Sequence, residues 1–288
     1  MFNWLLQPLE YAFMTRAMAA VILVGIVCAV VGSYIVLRGM AFFGDALAHS
    51  ILPGVAIGYL VGNGARGPVF WGALIAALVS SVGIGTISKN GRIKSDTAIG
   101  IIFAGMFALG VALISSVQSY TADLNHFLFG DVLGVSIADL VRIGVLGVLV
   151  IGTIFAFYKE FMVISFDPIL ARTLRLPVRW LEYLLLILIA LTIVVSLQTV
   201  GVALMVAMLI TPAASASLLS KRLSTIMGIA TGIASISGVI GLYASYYLSI
   251  ASGASIVLAN TMIFFAVWLF TSRRNANRTK RHGEAVLL

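Results

Sequence analysis

One cysteine, Cys28, is present in 288 residues. A single thiol excludes a disulfide framework and a cysteine-built metal cage. Charge is scarce as well, at 10% of residues against about 25% in an ordinary soluble domain. No Gly-x-x-x-x-Gly-Lys-Ser/Thr stretch occurs, so this chain must borrow any energy it takes from ATP. The His-Glu-x-x-His of zinc proteases and the Gly-x-Ser-x-Gly nucleophile elbow are also missing. An aspartyl protease of the membrane needs two facing Asp residues inside the bilayer. Asp45 qualifies, but Asp131 falls in an outward segment. Residues 1–11 lack a basic stretch before an apolar one, so no cleavable signal is expected.

What fills the chain is hydrocarbon: 61% of residues are hydrophobic and the mean hydropathy is +1.12. This is the composition of an all-α polytopic membrane protein, with room for eight to ten spans of about 20 residues. Nine are expected, at about 17–37, 44–61, 69–88, 97–117, 140–158, 180–197, 199–220, 223–247 and 254–270. The first eleven residues read as an interfacial segment anchored by Trp4 and Tyr11. Ser95 or Asp96 is expected to cap the fourth span. Residues 118–139 carry Asp123, Asn125, His126, Asp131 and Asp139 among Leu and Phe, which suits a short packed or re-entrant element. Residues 1–271 are expected to form the membrane domain, and 272–288 a basic cytosolic tail that is disordered at its end.

Lys and Arg set the orientation. With the C-terminus inside, only Arg16, Arg66 and Arg142 of the 18 basic residues face outward. The +8 net charge then lies at the inner surface and suits lipid headgroups or an acidic cytosolic partner. Nucleic acid is a poor alternative.

Three stretches carry chemistry. In the second span Asp45 and His49 are four apart and share one helix face. An intramembrane Asp costs roughly 2.5–3.5 kcal/mol on insertion scales, and carboxylate with imidazole suits Mn(II), Zn(II) or Fe(II). The pair reads either as part of an ion path or as a helix-end Asp with a His bonded to its neighbour. Pro53 has no N–H to give the His49 carbonyl, which leaves that oxygen open to water or an ion. Counted from Arg38 at 1.5 Å per residue, Asp45 lies about 10 Å and His49 about 16 Å into the span. In the loop 159–179, Asp167 as N-cap and Pro168 at the first helical position announce a short helix, closed by Pro177. Ile169, Leu170 and Leu174 share one side of it. Two turns do not persist alone in water, so this helix rests on the bilayer or docks a peripheral subunit. In the seventh span Pro212 deprives the Met208 carbonyl of its donor, and Thr211 or Met208 offers a further ligand, though packing is the plainer role for both methionine and the small residues 213–217.

The stretches 38–54, Ser95-Asp-Thr-Ala-Ile-Gly100, Leu128-Phe-Gly-Asp-Val-Leu-Gly134, 166–177 and 201–214 together resemble, in order, the manganese/zinc/iron ABC transporter permease family. The resemblance implies a fold like the type II ABC importers, without their first span. It implies a homodimer, cytosolic ABC ATPase subunits and an extracytoplasmic metal-binding protein, in the plasma (inner) membrane of a prokaryote. No permanent cofactor is implied; the divalent metal, manganese before zinc or iron, is cargo. Asp45 and His49 match the family's metal path, with Thr211, Met208, Asp123 and His126 as further candidates. Asp167, Pro168, Leu170, Ala171 and Leu174 match its coupling helix. Where similar proteins carry Gly, this chain has Arg175. A secondary metal carrier without an ATPase is the rival reading, separated by ATP dependence.

Nine spans require opposed termini. Single cysteines at Asn3 and Asn277, in a Cys28→Ala background, should react with an impermeant maleimide from opposite faces of the membrane. Reaction of both from one face would refute the count.

Overall fold

In the computed structural model, residues 7–63, 65–88, 93–115 and 132–285 are described, apart from the side chains of Arg66 and of 275–285. Every long element among them is a helix. Hydrocarbon offers no water to a spare N–H or C=O, so a spanning segment must satisfy its backbone internally. The helices are α1 Ala12–Leu37, α2 Ala41–Ser50, α3 Leu52–Gly62, α4 Arg66–Ser88, α5 Ser95–Ser115, α6 Ile137–Ala156, α7 Tyr158–Phe166, α8 Pro168–Thr173, α9 Val178–Val200, α10 Val202–Leu219, α11 Leu223–Leu248 and α12 Ser252–Ala285. With α2 and α3 taken as one span, nine helices among the described residues are long and apolar enough to cross a membrane.

The sequence expectations need five adjustments. The first span starts at Ala12, where the Tyr11 ring lies tilted against Phe13 and against Tyr246 of α11. The second span is broken at Ile51. Ser95 is itself the first residue of α5 and its Oγ lies 2.8 Å from that of Ser88. Asp139 belongs to α6: its carboxylate accepts from the Ser136 N–H while Ser136 Oγ accepts the Asp139 N–H, a reciprocal capping box. The expected polar loop before the coupling helix is largely the helix α7. Asp123, Asn125, His126 and Asp131 lie outside the described residues.

The helix α1 is the hub. It packs against α6, α9, α10 and α11, and its inner face from Met14 to Ile35 is buried. On one flank α12 covers α10 and α11. On the other, α4 lies along α3, and α5 crosses α2 and α3. Interior hydroxyls fold back on their own helices: Ser33 donates to the Ala29 carbonyl, Ser50 to Ala46, Thr192 to Leu188 and Thr199 to Val195, at 2.7–3.0 Å. Each thereby meets its obligation without water.

Lipid is as apolar as Leu, so helices here gain little from hiding side chains and much from close backbone approach. The α3–α4 crossing shows it: a Cβ added to Gly54 would collide with the Gly72 carbonyl, and one added to Gly72 with that of Gly54. Gly54→Val should therefore separate the two helices at a cost of about 1–3 kcal/mol or more. The thermal midpoint in detergent should drop, whereas Gly100→Ala, a position with open space around it, should leave it unchanged.

Candidate functional site

The break in the second span begins with Pro53. Without its N–H the helical ladder cannot continue past His49, and the chain restarts as α3 with Pro53 in its first turn. The His49 carbonyl is not left open, as the sequence suggested. The Ile51 N–H turns back to it.

One turn before the break, His49 Nε2 lies 3.7 Å from Asp45 Oδ1. That is too long for a hydrogen bond. It is close to the separation, about 3.4 Å, of two donors on one tetrahedral ion with bonds of about 2.1 Å. Both side chains reach the surface of the chain, Asp45 at 40% exposure and His49 at 24%, on a helix whose Phe43, Gly44, Ala46, Leu47 and Ala48 are buried. The pair shares one face of α2, and that face is turned outward. Phe103 and Phe107 of α5 set their rings edge-on to the imidazole, with centroids 6.1 and 5.8 Å away, and Phe42 sits edge-on to Phe103. The collar formed by the two rings against the imidazole has no signature in the sequence of α2, because α5 supplies both. Among the described residues no third His, Cys, Asp or Glu joins the pair. Two such donors from one chain are too few to hold a metal ion tightly.

The other expected ligands are elsewhere. Met208 is fully buried, and its sulfur takes the Asn260 amide N–H at 3.5 Å. Ser237 donates to the same amide's oxygen, so Met208 belongs to a polar knot tying α10, α11 and α12. Thr211 is half-buried and its carbonyl accepts from Ser215 Oγ. No described contact joins it to Asp45 or His49. Asp123 and His126 are outside the described residues.

The second feature is a corner at the far end of α7. Asp167 Oδ1 accepts the N–H of Ile169 and of Leu170, both at 2.9 Å, and Pro168 opens α8. Only six residues follow before the helix closes. It closes with the paired bonds of a Schellman motif: Arg175 N–H to the Arg172 carbonyl and Leu176 N–H to that of Ala171. Arg175 takes the left-handed conformation, φ 55°. A side chain there costs roughly 1–2 kcal/mol. Ala171 is fully buried and seats the helix, while Ile169 is 76% exposed, Leu170 46% and Leu174 55%. Sequence reasoning put these three on one side; the structure turns that side outward.

Arg38 was read only as a boundary marker. Its guanidinium reaches Ser165 Oγ at 3.2 Å and the Ile164 carbonyl at 3.4 Å, across 127 and 126 residues of chain. A lone Arg after a long apolar run was the one signal available, and nothing in the sequence names its partners.

Residues 10–271 match the family described as the ABC 3 transport family. The chain is 46% identical over 273 residues to the manganese transport system membrane protein MntC of Listeria innocua, covering 95% of this chain and 96% of that protein. It is 36% identical over 270 residues to the chelated iron transport system membrane protein YfeD of Yersinia pestis, covering 94% and 89%. Among solved structures, PsaBC from Streptococcus pneumoniae in complex with Fab superposes with a TM-score of 0.80 at 38% identity, over 92% of this chain and 94% of that one.

Asp167→Ala would leave two amides at the start of α8 without their acceptor, a loss of about 1 kcal/mol. Hydrogen exchange at Ile169 and Leu170 should quicken about fivefold. Arg175→Gly, which relieves the left-handed residue, should slow it.

Proposed function

Since the chain belongs to the ABC 3 transport family, we propose that Asp45 and His49 form the metal step of a permease that imports divalent transition-metal ions. It is a membrane subunit and not itself an enzyme; hydrolysis of ATP is the work of a separate subunit. Manganese is the favoured cargo, because the relatives at 44–46% identity carry that name, while a more distant one is named for chelated iron. A carboxylate–imidazole pair accepts either, and zinc as well.

The single observation that carries the reading is the outward-facing pair on an apolar surface. Ionisable groups inside a membrane face a bundle interior or a watered path and do not face lipid. A second copy of the chain is what covers this face, with the two Asp–His pairs meeting across the interface. That arrangement supplies up to four donors from two protomers, and weak pairwise sites suit a cargo that must be released. The phenylalanine collar narrows the approach to the imidazole and keeps lipid tails from it.

Energy enters at the corner. Ile169, Leu170 and Leu174 form an apolar knob on a short capped helix, with Asp167 and Pro168 fixing its start and Ala171 fixing its seat. Such a knob fits a hydrophobic socket on the cytosolic ATPase. The basic residues counted above put this loop, and the C-terminus, on the cytosolic side, with the N-terminus outside. An extracytoplasmic binding protein delivers the metal to the opposite face, and anionic lipid headgroups meet the inner basic rim.

Asp45→Asn and His49→Ala should each reduce manganese accumulation in proteoliposomes to background while the ATPase still co-purifies. Uptake near the wild-type rate in both variants would remove the pair from the path.

A further inference from the structure

The two functional features stand at different places, and one side chain spans the gap between their supports. Helix α1 ends in a Schellman motif: the Gly39 N–H bonds the Val36 carbonyl at 3.1 Å and the Met40 N–H bonds that of Ile35 at 3.0 Å. Gly39 takes φ 67°, so the turn reverses without strain. The Phe43 N–H then bonds the Met40 carbonyl and α2 begins. Only Arg38, Gly39 and Met40 separate α1 from α2, and Asp45 follows in the second turn of α2. The backbone of Arg38 is consequently rigid on both sides.

Its side chain turns to the C-terminal end of α7. There Ile164 is among the last carbonyls of the helix, which have no intrahelical donor. A guanidinium at a helix C-terminus completes such a carbonyl and meets the negative end of the dipole. Arg38 does so through Nη2, and its Nε holds Ser165. Past Ser165 come Phe166, the Asp167 cap and α8, held to α7 by the Asp167 N–H on the Val163 carbonyl at 2.9 Å. Burial pushes the guanidinium's pKa below its ordinary value, with Glu182 of α9 and Tyr34 opposing the shift. A half-buried charge at a helix junction is a costly way to fill space.

We propose that Arg38 is a positioning residue that links the α7–α8 corner to the start of α2, so that displacement of α8 moves the helix carrying Asp45 and His49. The inference rests on the permease reading above. It adds a connection between the ATPase contact and the metal pair that neither site contains. No path through the apolar core is required: the Schellman turn, the guanidinium and the α7 terminus are three short, stiff pieces in series.

The test uses the whole complex, permease with its ATPase and binding protein in proteoliposomes, with manganese as the probe metal. Manganese imported per ATP hydrolysed should fall roughly tenfold in Arg38→Gln, the size of a coupling contribution from one network residue. ATPase co-purification and the thermal midpoint should remain those of the wild type. Arg38→Lys keeps the charge but not the two-pronged donor, and should recover part of the ratio. An unchanged ratio in Arg38→Gln, or a loss traced to failed ATPase association, would overturn the proposal. Where Arg38→Gln does not fold, Ser165→Ala decides: it removes the Nε acceptor and leaves only the longer bond to the Ile164 carbonyl, so the ratio should fall by about threefold, and an unchanged ratio overturns the proposal. Failure of the permease reading looks different, since the wild-type chain would then bind no ATPase and import no manganese, and both proposals would fall together.

Discussion

A polar group in hydrocarbon has to find its partner inside the protein, and the architecture follows from that requirement. It makes every long described element a helix. It folds the hydroxyls of Ser33, Ser50, Thr192 and Thr199 back on their own carbonyls. It also explains the few places where the rule is bent. Pro53 withdraws one donor, the Ile51 N–H turns to fill in, and the span breaks one turn beyond a carboxylate and an imidazole. A break of this kind is tolerated at membrane depth when it lies against protein or a watered cavity, which is where a metal path needs irregular backbone.

The same requirement separates the rigid parts from the adaptable ones. The corner at Asp167 and the turn at Gly39 are both closed by paired backbone bonds, one with a carboxylate cap and the other with a guanidinium reaching out of it. Neither has a hinge. The Asp45–His49 pair, by contrast, has a gap of 3.7 Å and exposed edges. In the permease proposed above, stiff elements would carry displacement, and a loose, two-ligand step would hold the ion only briefly.

Close packing comes from small residues more than from large ones. The mutual approach of Gly54 and Gly72 fixes α3 against α4, and so fixes the direction in which the helix leaves the break. Large side chains such as Phe103 and Phe107 are used where a surface has to be shaped. The buried Ser237–Asn260–Met208 knot shows the third device, an interhelical polar contact, and it absorbs a methionine that motif reading had offered as a ligand.

Composition and the spacing of apolar runs determined the class and the nine spans, because hydrocarbon thickness sets a length that any sequence must meet. Asp45 and His49 were legible because ionisable residues are conspicuous in such runs and a separation of four puts them on one face. Asp167–Pro168 was legible because capping chemistry is local. Span ends were read less well: Asp139 reads as part of a short packed or re-entrant element and lies in the first turn of α6, where its carboxylate completes the capping box begun by Ser136. The phenylalanine collar, the burial of Met208, the outward turn of Ile169 and Leu174, and the reach of Arg38 to Ile164 and Ser165 belong to the tertiary structure alone. Each joins residues far apart in the chain, and no local pattern encodes which helix will lie beside which. That choice is made by close backbone approach and by the pairing of the last polar groups, once the helices are in place.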